Sequence, residues 1–172
     1  MKLNIKEIAV FALLGALMYS TKIIMEVLPN VHLLGVFTVA ITAVYRRKAL
    51  YPIYVYVFIN GFFSGFAMWW IPYLYIWAVL WGAVMLLPKN IPTKAKPIVY
   101  MTVCALHGFL FGTLYAPAQA LLFGLDFKGT IAWIAAGLPW DFVHGVSNFI
   151  CGTLICPIIA VLKQSEKYIT RN

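Results

Sequence analysis

Between Ala49 and Leu87 the chain runs 39 residues without a charged side chain. As helix, that length measures about 58 Å at 1.5 Å per residue, roughly twice the hydrocarbon thickness of a bilayer. Such a run must cross and turn once. Trp69-Trp70-Ile71-Pro72 supplies the turn, a proline beside aromatics that favour the membrane interface. The rest of the chain agrees, being 63% hydrophobic and 10% charged over 172 residues. A soluble domain is about 45–50% apolar and about 25% charged. These values exclude a soluble enzyme, a disordered chain and a nucleic-acid-binding domain, despite a net charge of +8.

The sequence therefore predicts an all-α integral membrane protein. A spanning helix needs roughly 20 apolar residues, so this chain holds about six in one membrane domain, residues 1–172. The expected spans are 5–28, 31–45, 49–69, 71–87, 98–115 and 139–162. Pro29-Asn30 turns the first, and Arg46-Arg47-Lys48 closes the second. Residues 116–130 read as a semi-polar loop with room for an interfacial helical turn, and Pro139 as the divide between an interfacial approach and span six. The first stretch lacks a small-residue cleavage site, so a retained helix is expected rather than a signal peptide.

Charge then orients the bundle. Lys2, Lys6, Arg46, Arg47, Lys48, Lys89, Lys94, Lys96, Lys163, Lys167 and Arg171 fall on one side of a six-span arrangement, leaving only Lys22 and Lys128 toward the other. By the positive-inside rule both termini are cytoplasmic. The three cysteines lie in apolar runs without metal-ligand spacing and read as packing residues. No phosphate-binding loop, zinc helix or nucleophile elbow is present. No cofactor, metal or catalytic residue is therefore expected, and any energy for moving a solute must come from a partner or an ion.

Polar residues inside apolar spans carry the remaining information. In WDFVHGVSNF, residues 140–149, Asp141, His144 and Asn148 share one helical face beside Trp140. An Asp at mid-helix costs roughly 2.5–3.5 kcal/mol on insertion scales and faces the bundle interior. The stripe reads as a recognition surface for a solute, as an interhelical hydrogen-bond network, or as a proton relay. Asn30 and His32 begin span two near the same outer mouth, close to the i, i+4 pair Lys22 and Glu26. Tyr73, Trp77 and Trp81 recur every four residues, and the deeper Trp77 and Trp81 suit stacking on a flat heterocycle or simple packing. His107, between the span-five apolar residues and Gly108 and Gly112, reads as a bond across a close helix contact. Ala12 and Ala16 form a small-x-x-x-small pair in span one, suited to internal packing or to docking another membrane protein.

Taken together, these features resemble the substrate-binding S components of energy-coupling factor (ECF) vitamin transporters. The resemblance covers essentially the whole chain. It rests on six spans in this length, cytoplasmic termini and the basic loop after span two. It rests also on Ala12-x-x-x-Ala16, on LPNVHLLG at residues 28–35 and on WDFVHGVSNF. The resemblance implies a bundle in the bacterial cytoplasmic membrane that captures a vitamin or related micronutrient from outside. A transmembrane T component and two cytoplasmic ATPases then supply ATP hydrolysis, so the chain itself is not an enzyme. It implies docking of the T component on Ala12 and Ala16. It also implies an outer-half site drawing on Trp77, Trp81, Trp140, Asp141, His144 and Asn148, with lid loops near Asn30, His32 and Trp69. Two readings from other classes stay open: a stand-alone proton-coupled carrier, and a structural or chaperone-like membrane protein.

Overall fold

The computed structural model describes residues 3–170, so Lys2 and Arg171, two of the eleven cations counted on the inner side, lie outside the described residues. Eight α-helices follow one another: α1 (Ile5–Met25), α2 (Leu34–Tyr45), α3 (Leu50–Ser64), α4 (Tyr73–Leu86), α5 (Lys96–Phe109), α6 (Phe111–Phe123), α7 (Phe127–Cys151) and α8 (Ile155–Thr170). Short 3₁₀ turns join α2 to α3, precede α4 and join α7 to α8. No strand occurs among the described residues.

Among the described residues four helical stretches are long and apolar enough to cross a membrane: Ile5–Met25, Met68–Leu86, Lys96–Phe123 and Phe127–Ile169. They overlap expected spans one, four, five and six, and the last two run well beyond the expected bounds. Expected spans two and three are shorter helices, because α2 has 12 residues and α3 has 15. At about 18 Å, α2 falls well short of a 30 Å hydrocarbon core. Its surroundings explain how it persists: every residue of α2 except Ala43 is buried, against α1, α4, α5, α7 and α8. α2 is the hub of the bundle.

Two other expectations are corrected. Residues 116–130 are not a loop, since α6 continues to Phe123. The connection is a tight turn in which Gly124 takes φ +66° and Asp126 caps α7, its carboxylate accepting from Gly129 N–H at 2.7 Å. Nor does Pro139 divide a span, because it sits inside the continuous helix α7. The actual interruption is the 3₁₀ turn Gly152–Leu154, where Gly152 packs against Met101.

The end of the bundle carrying the basic loop is tightly tied. Asn4 caps α1 through a capping box with Glu7, and Glu7 also pairs with Lys48 across the interface with the α2–α3 turn. Arg46 stands at φ +52°. That unfavourable backbone is held from two sides: its side chain donates to the Met85 carbonyl at 3.1 Å and its own carbonyl accepts from Trp81 Nε1 at 3.0 Å. Asn4 Nδ2 donates to the Ile169 carbonyl at 3.2 Å, bringing the first and last helices together. On α1, the buried residues Glu7, Phe11, Gly15 and Met18 face the bundle. A Cβ on Gly15 would lie 2.9 Å from the Pro52 carbonyl, so a side chain there would push α1 off α3.

Candidate functional site

Three elements bring three imidazoles together. His32 comes from the loop before α2, His107 from α5 and His144 from α7, and the indole of Trp77 on α4 lies between them. The His32 and His144 rings stand 4.6 Å apart between centroids, edge to face. Trp77 lies 6.2 Å from His32 and 5.6 Å from His107. Phe111 closes the ring, 4.9 Å from His144 and 6.0 Å from His107. Tyr56 and Tyr73 each pack edge to face on Trp77 at 6.0 Å.

The helices can approach closely enough for this because α5 and α7 meet through glycines. A Cβ on Gly108 would fall 2.9 Å from Gly145 Cα, and one on Gly35 of α2 would fall 3.3 Å from Asn148 Nδ2. Asn148 is wholly buried and donates to the Cys104 carbonyl at 3.2 Å. His107 Nε2 lies 3.1 Å from the Ile76 carbonyl, joining α5 to α4 and not crossing the contact that Gly108 and Gly112 make with α7.

What sets this cluster apart is its unfinished hydrogen bonding. His32 Nδ1, His107 Nδ1, His144 Nε2, Trp77 Nε1, the Tyr56 hydroxyl and Asn148 Oδ1 are all buried without a partner among the described residues. Such groups are ordinarily paired, and each one left unpaired in an apolar interior costs up to several kcal/mol. Their concentration here makes this cluster the candidate site. A neutral imidazole donates or accepts according to its tautomer, so the set can adapt to the groups offered to it. No cation or carboxylate belongs to the ring. Among the described residues no group of His, Cys, Asp or Glu has the arrangement to hold a metal ion.

A cavity of about 270 Å³ lined by Lys22, Glu26, Asn30 and His32 among others meets the cluster at His32. Lys22 and Glu26 form their ion pair at its rim, at 3.1 Å. The loop between α1 and α2 is held by Ser147 Oγ, which lies 2.9 Å from the Asn30 carbonyl. Asn30 takes φ +58°, a conformation that Asn tolerates better than most residues. Its contact with α7 is therefore through the backbone, while His32 reaches from the cavity wall to His144 and Trp77.

The sequence-derived set divides. Trp77, His32 and His144 come together, with Asn30 at the mouth, while Asn148 lies one turn along α7 in the glycine seam with α2 and α5. Trp81 does not join them; its indole N–H is used on the Arg46 carbonyl at the basic end. Trp140 is 59% exposed on the outside of α7. Asp141 is buried, yet both its oxygens accept the Gly112 N–H at 3.0 Å. The break at Leu110 ends α5, and the Asp141 carboxylate takes up an N–H of the first turn of α6 where the helix dipole favours an anion. Gly112 leaves room for this bond, because a Cβ there would lie 2.5 Å from Asp141 Oδ2 and displace the carboxylate. Tyr56 and Phe111 were not singled out from the sequence. Nothing in an apolar aromatic run marks which residue will pack on a distant indole, as Tyr56 does, or on distant imidazoles, as Phe111 does. Ala12 and Ala16 are exposed on α1, to one side of the Gly15 face, so internal packing does not use them.

Compared with protein-family models, curated proteins and solved structures, the chain matches none.

Proposed function

We propose that this chain is a substrate-capturing S component of an ECF-type transporter, a six-span bundle with both termini in the cytoplasm. It binds a small water-soluble micronutrient from outside, and a T component with two ATPases energises delivery into the cell. The even number of crossings is supported by the Asn4–Ile169 hydrogen bond, since it brings the two ends of the chain to one side. In this arrangement α2 crosses as a short inner helix enclosed by its neighbours, and α3 as a short outer helix packed on α1. The exposed small pair Ala12 and Ala16 is the docking face for the T component.

The observation that carries the reading is the set of unpaired buried atoms on His32, His107, His144 and Trp77 beneath an open mouth. Their chemistry favours a planar, neutral heterocycle. Such a ring stacks on the indole and imidazoles and exchanges hydrogen bonds with their free nitrogens and with Asn148 Oδ1. With no basic side chain among them, the cluster disfavours a multiply anionic cargo.

Titration of a vitamin panel into the purified chain, followed by tryptophan fluorescence, tests the reading. One member should bind in the nanomolar to micromolar range, and Trp77→Phe should remove most of the signal. Absence of any binder, together with absence of a co-purifying ATPase module, overturns it. Uptake that persists without an ATPase and collapses with an uncoupler identifies a proton-coupled carrier instead.

A further inference from the structure

A second built feature lies on the opposite face of α3. A groove of about 820 Å³ starts at Arg47 and runs past Leu50, Val55, Phe58 and Ile59, with Trp81 of α4 on its far wall. These α3 positions follow helical spacing, so they form one continuous stripe. From Arg47 to Ile59 the stripe extends roughly 18–20 Å, slightly more than the 15 Å or so of one leaflet's hydrocarbon. No acidic residue lines it.

The three cations at its lower end differ in what they do. Arg46 donates to the Met85 carbonyl and Lys48 pairs with Glu7. Arg47 is exposed, and no carboxylate meets it among the described residues. It therefore stands at the membrane boundary with its donors directed to solvent or to whatever lies in the groove.

We infer that this groove is a site for a phospholipid with an anionic headgroup, its phosphate on Arg47 and one acyl chain along α3. A protein helix suits the groove less well. Large side chains such as Phe58 and Trp81 wall it and hold another backbone away, whereas close helix contact uses small residues. The small-residue surface of this molecule is on α1, at Ala12 and Ala16. The inference rests on the membrane-spanning reading of the chain but not on its cargo, so vitamin binding and lipid binding fail or succeed separately.

The delipidated full chain in detergent is titrated with dioleoyl phosphatidylglycerol and with dioleoyl phosphatidylcholine, and bound lipid is counted by native mass spectrometry. One arginine at a membrane surface predicts about a fivefold preference for the anionic lipid. Arg47→Gln, an exposed change that leaves the fold intact, should reduce that preference to about one. Ile59→Trp, which fills the groove, should weaken both lipids. Equal binding of the two lipids by the unaltered chain overturns the proposal, as does a preference that survives Arg47→Gln. Benzoylphenylalanine at position 58 provides a check in native membranes. Photo-crosslinking to lipid supports the assignment, and crosslinking to protein shows the groove to be a subunit interface and refutes it.

Discussion

Replacing Asp141 distinguishes a carboxylate that holds helices from one that holds cargo. Both its oxygens accept the Gly112 N–H at 3.0 Å. A hydrogen bond to a charged acceptor contributes about 1.5–3 kcal/mol and a neutral one about 0.5–1.5 kcal/mol. Asp141→Asn keeps one acceptor oxygen, so it costs about 1 kcal/mol. Asp141→Leu removes the bond and leaves the Gly112 N–H unpaired in a buried seam, a loss of about 3 kcal/mol. At about 2–4 °C per kcal/mol for a chain of this size, these become melting shifts of about 3 °C and about 10 °C. A thiol-reactive dye can follow the melt, because Cys104 is buried and free. Gly112→Ala attacks the same contact from the other side, its new Cβ 2.5 Å from Asp141 Oδ2. The double variant Asp141→Leu with Gly112→Ala should therefore lose less than the sum of the two single losses. Through all of this, ligand affinity in Asp141→Asn should stay within about threefold of the unaltered chain, since threefold is only about 0.6 kcal/mol. Unchanged melting combined with a large loss of affinity would falsify the trans-capping role and return Asp141 to the ligand.

Other substitutions test neighbouring parts of the structure. Trp77→Phe and His144→Leu should each weaken cargo binding at least tenfold while the fold is retained, measured by fluorescence and melting on the same samples; normal binding by both sinks the assignment of the cluster. Ala12→Trp, at an exposed position, should leave melting and cargo affinity intact but prevent co-purification of a T component and ATPases; a complex that still forms places the docking face elsewhere. Gly15→Leu should destabilise by about 2–3 kcal/mol through overpacking, because its Cβ would clash with Val55 and the Pro52 carbonyl; an unshifted melting curve would show that α1 and α3 are not so closely packed.

Much of the architecture is legible along the chain. A 39-residue uncharged run, a proline at its turn and a one-sided distribution of cations are local properties, and they point to helices apolar enough to cross a membrane. Even so, the lengths of α2 and α3 were not legible. Their hydrophobicity reports only that water is excluded, and burial inside a bundle and burial in lipid leave the same mark. Only the packing shows that α2 is enclosed by five other helices.

The candidate site divides along the same line. Polar residues in apolar helices stand out in sequence because burying them is costly, and so His32, His144 and Asn148 could be marked, as could Asp141. Their partners could not be read, because a hydrogen bond from α7 to α5 or α6 depends on where two helices cross. Asp141 and His144 are three residues apart on one face, yet one caps α6 and the other meets His32 from a loop more than a hundred residues earlier. Trp77 and Trp81 show the same division: one turn of α4 separates a buried ring among imidazoles from an indole bonded to the basic loop. Sequence by itself determined the helical class, the apolar environment and which residues were too polar to be idle. Tertiary structure alone decided their roles, because contact, unlike hydrophobicity, is a property of pairs.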